Sequence, residues 1–210
     1  MLLDNHRLPF RPLRGGIEIF NPVVNEVGTL GFVAMGAAGG TRRWLVSCYH
    51  VLVGGPNCRP VPGETVLQSA TDPNPVAHVD ADRTDPDLDC AAAIIEPAAG
   101  WVAEILGLGP LGTPAAPVPG MRIIKSGATT GITEGIVESV NGDDLIIAHT
   151  PGFDPNYDLA LDGDSGSLWL TRDGLSPVAL CISQLKDPAK RIKARCILPI
   201  LAALHFEVAR

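Results

Sequence analysis

With 210 residues and 46% hydrophobic content, the chain is long enough to bury one large core or two modest ones. Its net charge of −7 offers no basic surface to neutralise phosphates, so nucleic acid is not an expected partner. No apolar run approaches the roughly 18 residues of a membrane-spanning helix, so no membrane role is expected either.

Glycine (23) and proline (19) are scattered along the chain rather than blocked, which favours short strands joined by turns. Residues 1–14 are polar and proline-broken, and they are expected to form a surface arm. Strand-like words follow at Thr29–Met35, Trp44–Leu52, Thr65–Ala70, Val76–Val79 and Cys90–Ile95, enough for a first β-barrel over 15–110. Residues 97–120 read as the connection between halves. Within it Ala98–Leu106 has a helix-like spacing, and Pro110, Pro114, Pro117 and Pro119 stop any longer element.

A second strand series spans Met121–Ser126, Gly135–Val140, Asp144–His149, Ser167–Arg172, Pro177–Ser183 and Ile192–Ile197, giving a second barrel over 111–210. Asn141-Gly142 marks a hairpin turn, and Pro199–Leu204 a short terminal helix packed on the second barrel. The expected fold is therefore all-β: two six-stranded antiparallel barrels, a cleft between them, and a short C-terminal helix.

Leu161-Asp162-Gly163-Asp164-Ser165-Gly166-Ser167-Leu168-Trp169 places a serine between glycines just before a buried strand, a turn that holds a hydroxyl in the open. Serine needs a base to become a nucleophile, and the base needs an orienting acid. His50, inside a strand-end word, and Asp89, opening the apolar Cys90–Ile95 run, are the candidates. Asp87 would face the same side of a strand and competes for the acid's place. Asp89 is preferred because the run that would bury it begins immediately after it.

In this order Ser47-Cys48-Tyr49-His50, Asp89-Cys90-Ala91 and Gly163-Asp164-Ser165-Gly166 resemble the histidine, aspartate and nucleophile motifs of the chymotrypsin-fold (trypsin-like) serine peptidases. The nearer likeness is to the intracellular branch that includes bacterial peptidases and the plant NARROW LEAF 1 proteins. It is carried by Arg11-Pro12, Gly15-Gly16-Ile17, Gly28-Thr29-Leu30-Gly31, the Lys125–Gly135 word and Ile197–Leu204.

The resemblance implies catalysis by His50, Asp89 and Ser165, with the backbone N–H groups of Gly163 and Ser165 as the oxyanion hole. It also implies a substrate pocket based at Leu159, with Asp158 beside it and Ile182, Ser183 and Gln184 as its wall. Leu159 would favour an apolar or small residue before the scissile bond, whereas Asp158 would favour a basic one. Gln184 would narrow the pocket or hydrogen-bond a polar substrate. Asp164 is either an anchor of the oxyanion loop or a polar turn residue, and Thr129-Thr130 are read as turn architecture. Cleavage after Arg14 would free Gly15, which has no apolar side chain to bury, so activation by that route is not expected.

The expected function is a serine endopeptidase acting on protein or peptide substrates through an acyl-enzyme. It would be restrained by a regulatory protein partner, narrow specificity or an incompletely formed oxyanion loop. The alternatives are a non-catalytic peptide-binding module on the same fold and an esterase or acyl-transfer enzyme using the same triad. No cofactor or metal is expected, because no Cys or His pair has zinc-ligand spacing and Gly36–Gly40 lacks the lysine of a phosphate loop.

The five cysteines sit mostly in apolar words and read as reduced, buried thiols, although Cys48 and Cys58 could meet across a loop. The first nine residues carry an early acidic residue and no apolar stretch. With the thiols, this makes the cytoplasm the expected location.

Overall fold

A computed structural model of the chain describes residues 6–54, 58–69, 72–152, 154 and 157–210. Residues 1–5 of the expected arm and Ala70 of the expected Thr65–Ala70 strand lie outside them. The first half runs β1 (Leu13–Gly15), β2 (Glu18–Asn21), β3 (Glu26–Thr29), β4 (Phe32–Gly36), β5 (Arg43–Ser47), α1 (Tyr49–Leu52), β6 (Thr65–Leu67), β7 (Pro75–Asp85) and β8 (Cys90–Ile95). Then come β9 (Trp101–Ile105), β10 (Gly109–Pro110), β11 (Arg122–Gly127), β12 (Gly131–Asn141) and β13 (Asp144–His149). The chain ends with β14 (Leu168–Thr171), β15 (Pro177–Gln184), β16 (Ile192–Cys196), α2 (Ile197–Ala203) and β17 (Phe206–Val208).

The second half closes into a six-stranded antiparallel barrel in the order β11-β12-β13-β16-β15-β14. Asn141-Gly142 makes its expected turn, with Gly142 at φ 61°. The first half is an eight-stranded sheet in the order β17-β4-β5-β8-β7-β6-β2-β3. Its eighth strand comes from the far end of the chain: Phe206, Glu207 and Val208 pair antiparallel with Gly36, Met35 and Ala34. Phe206 and Val208 join the first core, so the last strand packs back onto the first half, while α2 lies against β15 of the second barrel as expected and its buried Ile197 and Ile200 join the same core.

The Ala98–Leu106 stretch is not helical. A single 3-10 turn, Pro97–Ala99, ends at Gly100 with φ 63°, and Trp101–Ile105 continues as β9 beside β1 in a small three-stranded sheet. Gly100 breaks the helical path, and the exposed edge of β1 offers the backbone partners that an isolated helix would have had to supply itself.

Two features of packing position the cleft. In the first half β5 pairs antiparallel with β8, with Ser47 opposite Ala91, so the residues leaving β5 and those entering β8 meet at one edge. In the second half Leu168, Leu170 and Leu180 turn outward from the barrel into the first core, giving the halves one continuous apolar contact.

Candidate active site

His50 and Asp89 meet at that shared edge. His50 lies on the one-turn helix α1 directly after β5, and Asp89 occupies the turn before β8. The imidazole Nδ1 is 2.8 Å from Asp89 Oδ2 and 3.1 Å from Oδ1, and the His50 backbone N–H donates to Oδ1 at 3.1 Å. The carboxylate therefore fixes both the ring's tautomer and the start of α1, leaving Nε2 as the free ring nitrogen. Asp89 has φ 51°, a left-handed conformation that aspartate tolerates at modest strain. Asp87 is exposed, and the carbonyl of that residue accepts from Arg195 instead.

Ser165 lines the same cleft as His50. Its Oγ donates to the Ile182 carbonyl at 2.9 Å, and one rotation about Cα–Cβ moves the hydroxyl between staggered positions. The loop around it is gripped by two threonines. From the first half, Thr29 Oγ1 donates to Gly163 O at 2.8 Å, and the Thr29 N–H donates to Ser165 O at 2.8 Å. From the second, Thr129 Oγ1 donates to Asp162 O at 2.7 Å.

A trans peptide points its N–H opposite to its C=O. Holding Asp162 O therefore directs the Gly163 N–H away from Thr129, and the Ser167 N–H bond to Asp164 O, 2.9 Å, does the same for the Ser165 N–H. Neither amide donates to any acceptor among the described residues, so both remain available for a developing oxyanion. Gly163 at φ 96° and Gly166 at φ 89° are needed here: a Cβ on Gly163 would strike Thr129 Oγ1, and one on Gly166 would strike Ser47 Oγ.

Asp164 is an anchor rather than a plain turn residue. Its Oδ1 accepts from the Thr129 and Thr130 amides at 2.9 and 3.2 Å, and its Oδ2 accepts from Thr130 Oγ1 at 2.7 Å and Leu161 N at 2.9 Å. Lys125 completes the arrangement, with Nζ 3.5 Å from Oδ2 and both side chains fully buried. Burial pushes the Lys125 ammonium below the ordinary lysine range, while the Asp164 carboxylate works against that shift. Lys125, Thr29 and Ser47, whose Oγ donates to Thr29 O at 2.8 Å, carry no local sequence signal that marks them as site residues.

The expected pocket residues divide. Ser183 and Ile182 line the cleft, but Leu159 is fully buried in the second barrel's core and does not. Thr133 Oγ1 donates to Leu159 O at 2.8 Å, which holds that stretch of backbone against β12. Gln184 reaches toward Asp158 at 3.5 Å. Asp158 is paired with Lys190 at 2.9 Å, and the hydrogen bond from that ammonium holds its carboxyl below the usual carboxylate range.

Among the described residues one cluster has metal-ligand chemistry, Cys48 Sγ with His50 and Asp89, all mutually within 4.8 Å. Its thiol is fully buried, donates to Cys181 O at 3.2 Å and is pushed well up by burial, so it favours the neutral form that binds metals poorly. Cys48 and the exposed Cys58 are both free and unpaired.

Comparison with solved structures finds the same fold. The chain superposes on Thermobifida fusca protease A with TM-score 0.70 at 19% identity, covering 93% of this chain and 97% of that one. It is similar in the same way to a glutamic acid specific serine protease, at TM-score 0.71, 16% identity, and 94% and 100% coverage. Cellulomonas bogoriensis chymotrypsin gives TM-score 0.69, 17% identity, and 95% and 99% coverage. The architecture is thus the chymotrypsin-like two-barrel fold. No family model matches the sequence, and no curated protein matches it.

Proposed function

We propose that the chain is a serine endopeptidase in which His50, oriented by Asp89, takes the Ser165 proton as the hydroxyl attacks a peptide carbonyl and returns it to the leaving amine. The observation that carries this reading is the meeting of an Asp-oriented imidazole and a nucleophile loop with two unspent amides in one cleft. By the sequence words quoted above, we place it nearest the intracellular NARROW LEAF 1-like branch. The four buried free thiols support a reducing, cytoplasmic setting. Narrow specificity, or restraint by a protein partner, is the corollary of working there.

A second reading has one observation in its favour. The Ser165 hydroxyl is bonded to Ile182 O, an arrangement that also suits a peptide-binding module with an idle serine. A fluorophosphonate probe separates the two. The endopeptidase reading expects labelling of the native chain that disappears in Ser165→Ala and falls in His50→Ala. A native chain that resists the probe supports the binding module.

A further inference from the structure

The cleft, about 990 Å³, has two chemically different walls. Asp162, Gly163, Ser165, Ile182 and Ser183 form the wall from the second barrel. The facing wall carries an aliphatic stripe of Val23, Val24, Val27, Val53 and Val61, bordered by Glu26, Arg59 and Glu64. Val23 is 74% exposed and Val61 56%, so their apolar surface is offered to the cleft rather than spent in a core.

The two segments carrying these valines are both tied to the helix that bears His50. Asn21, fully buried, donates from Nδ2 to Leu52 O at 2.7 Å while its Oδ1 accepts from the Val23 and Val24 amides at 2.9 and 3.4 Å. This pins the β2–β3 turn to the end of α1. On the other side the Tyr49 hydroxyl donates to Cys58 O at 2.7 Å, tying Cys58, three residues before Val61, to the same helix. A wall registered to the catalytic base in this way can select a side chain rather than merely tolerate one.

Direction follows from the proton transfer. His50 must reach the leaving nitrogen, so the residues after the scissile bond lie on the His50 side of Ser165, against the valines. The acyl half lies along Ile182 and Ser183. Resting on the endopeptidase reading, we propose that the valine wall is the specificity surface for the leaving-group half of the substrate. It accepts an aliphatic side chain within the first two residues after the scissile bond, and the acidic residues of the same cleft, Glu26, Glu64 and Asp162 against the single base Arg59, disfavour an acidic one.

Acyl transfer tests this independently of how the acyl half binds. An acyl-enzyme formed from an active ester partitions between water and an added amine. In aminolysis the amine nitrogen forms the new amide bond, the Ser165 ester C–O bond breaks, and the amine proton returns through His50 to Ser165 Oγ. Leucinamide is expected to capture the acyl group about tenfold better than glycinamide, and aspartic acid α-amide worse than either. Val23→Asp and Val61→Asp, at exposed positions, are each expected to reduce the leucinamide advantage to less than about twofold. Asn21→Ala is expected to reduce it as well, by freeing the turn. Equal capture of all three amines by the wild type, or an advantage untouched by both aspartate variants, overturns the wall's role while leaving the endopeptidase reading intact. Failure to form any acyl-enzyme removes both.

Discussion

Lys125 and Asp164 form an ion pair, Nζ to Oδ2 3.5 Å, with neither side chain reaching solvent and with Asp164 next in the chain to Ser165. A buried pair of this kind is a weak source of net stability but a severe liability when halved, because the survivor is left buried without its counter-charge. Lys125→Met is therefore expected to lower unfolding stability by about 3–5 kcal/mol in urea titrations. Lys125→Met combined with Asp164→Leu is expected to recover part of that loss without recovering turnover, since the loop loses its anchor.

The same pair sets a pH dependence. Burial lowers the Lys125 pKa from its ordinary value of 10.5, so between the lowered value and 10.5 the unfolded chain binds more protons than the folded one. The penalty for burying charged Lys125 is complete below that window and fades as pH rises through it. Unfolding midpoints measured across the alkaline range are expected to contain a rising contribution in the wild type that Lys125→Met lacks.

Thr29 ties the nucleophile loop of one half to the other half of the molecule. Thr29→Val removes the hydroxyl that donates to Gly163 O and accepts from Ala128 N at 3.0 Å. Both groups are left unpaired at a cost of about 1–3 kcal/mol each. Steady-state kinetics are expected to show kcat reduced toward the roughly 10²–10³-fold loss of one oxyanion donor, with KM little changed.

Asp89→Asn keeps the shape of the group holding His50 but favours the wrong imidazole tautomer. A fall in kcat of about 10⁴-fold is expected, measured on a peptide or ester substrate, with the fold preserved by circular dichroism. Asp87→Asn, at an exposed position that does not contact the ring, is expected to leave kcat within about twofold.

Thiol accessibility follows burial. Of the five cysteines Cys58 alone is exposed. Burial holds Cys181 up to about 11 and drives Cys48 and Cys90 up as well. Ellman's reagent at neutral pH is expected to titrate one thiol in the native chain and all five after unfolding. Because Cys58 lines the cleft, a bulky maleimide there is expected to suppress turnover, and Cys58→Ser to abolish that suppression.

Much of this architecture is legible in local words. The Gly163–Gly166 turn, the apolar run after Asp89 and the Asn141-Gly142 hairpin each act through neighbours in sequence, so their chemistry announces itself. Lys125 and Thr29 do not. Lys125 reads as an ordinary strand lysine, and only the closure of β11 against the nucleophile loop buries it beside Asp164. Thr29 reaches Gly163 across 134 positions of chain. Trp101–Ile105 misleads for the same reason: its apolar spacing suits a helix, and the distant partner β1 decides for a strand. Leu159, which the resemblance puts at the base of the pocket, is spent in the second barrel's core, a packing relationship that no neighbouring residue announces.

The most direct test of the central claim is stopped-flow mixing with a 4-nitrophenyl ester, followed by intact mass and peptide mapping. The account predicts a burst of about one equivalent of 4-nitrophenolate and an acyl adduct on Ser165. Both would be lost in Ser165→Ala, and the burst slowed by about 10⁴-fold or more in His50→Ala. Hydrolysis that survives Ser165→Ala, or a native chain that forms no adduct with any active ester, would contradict it.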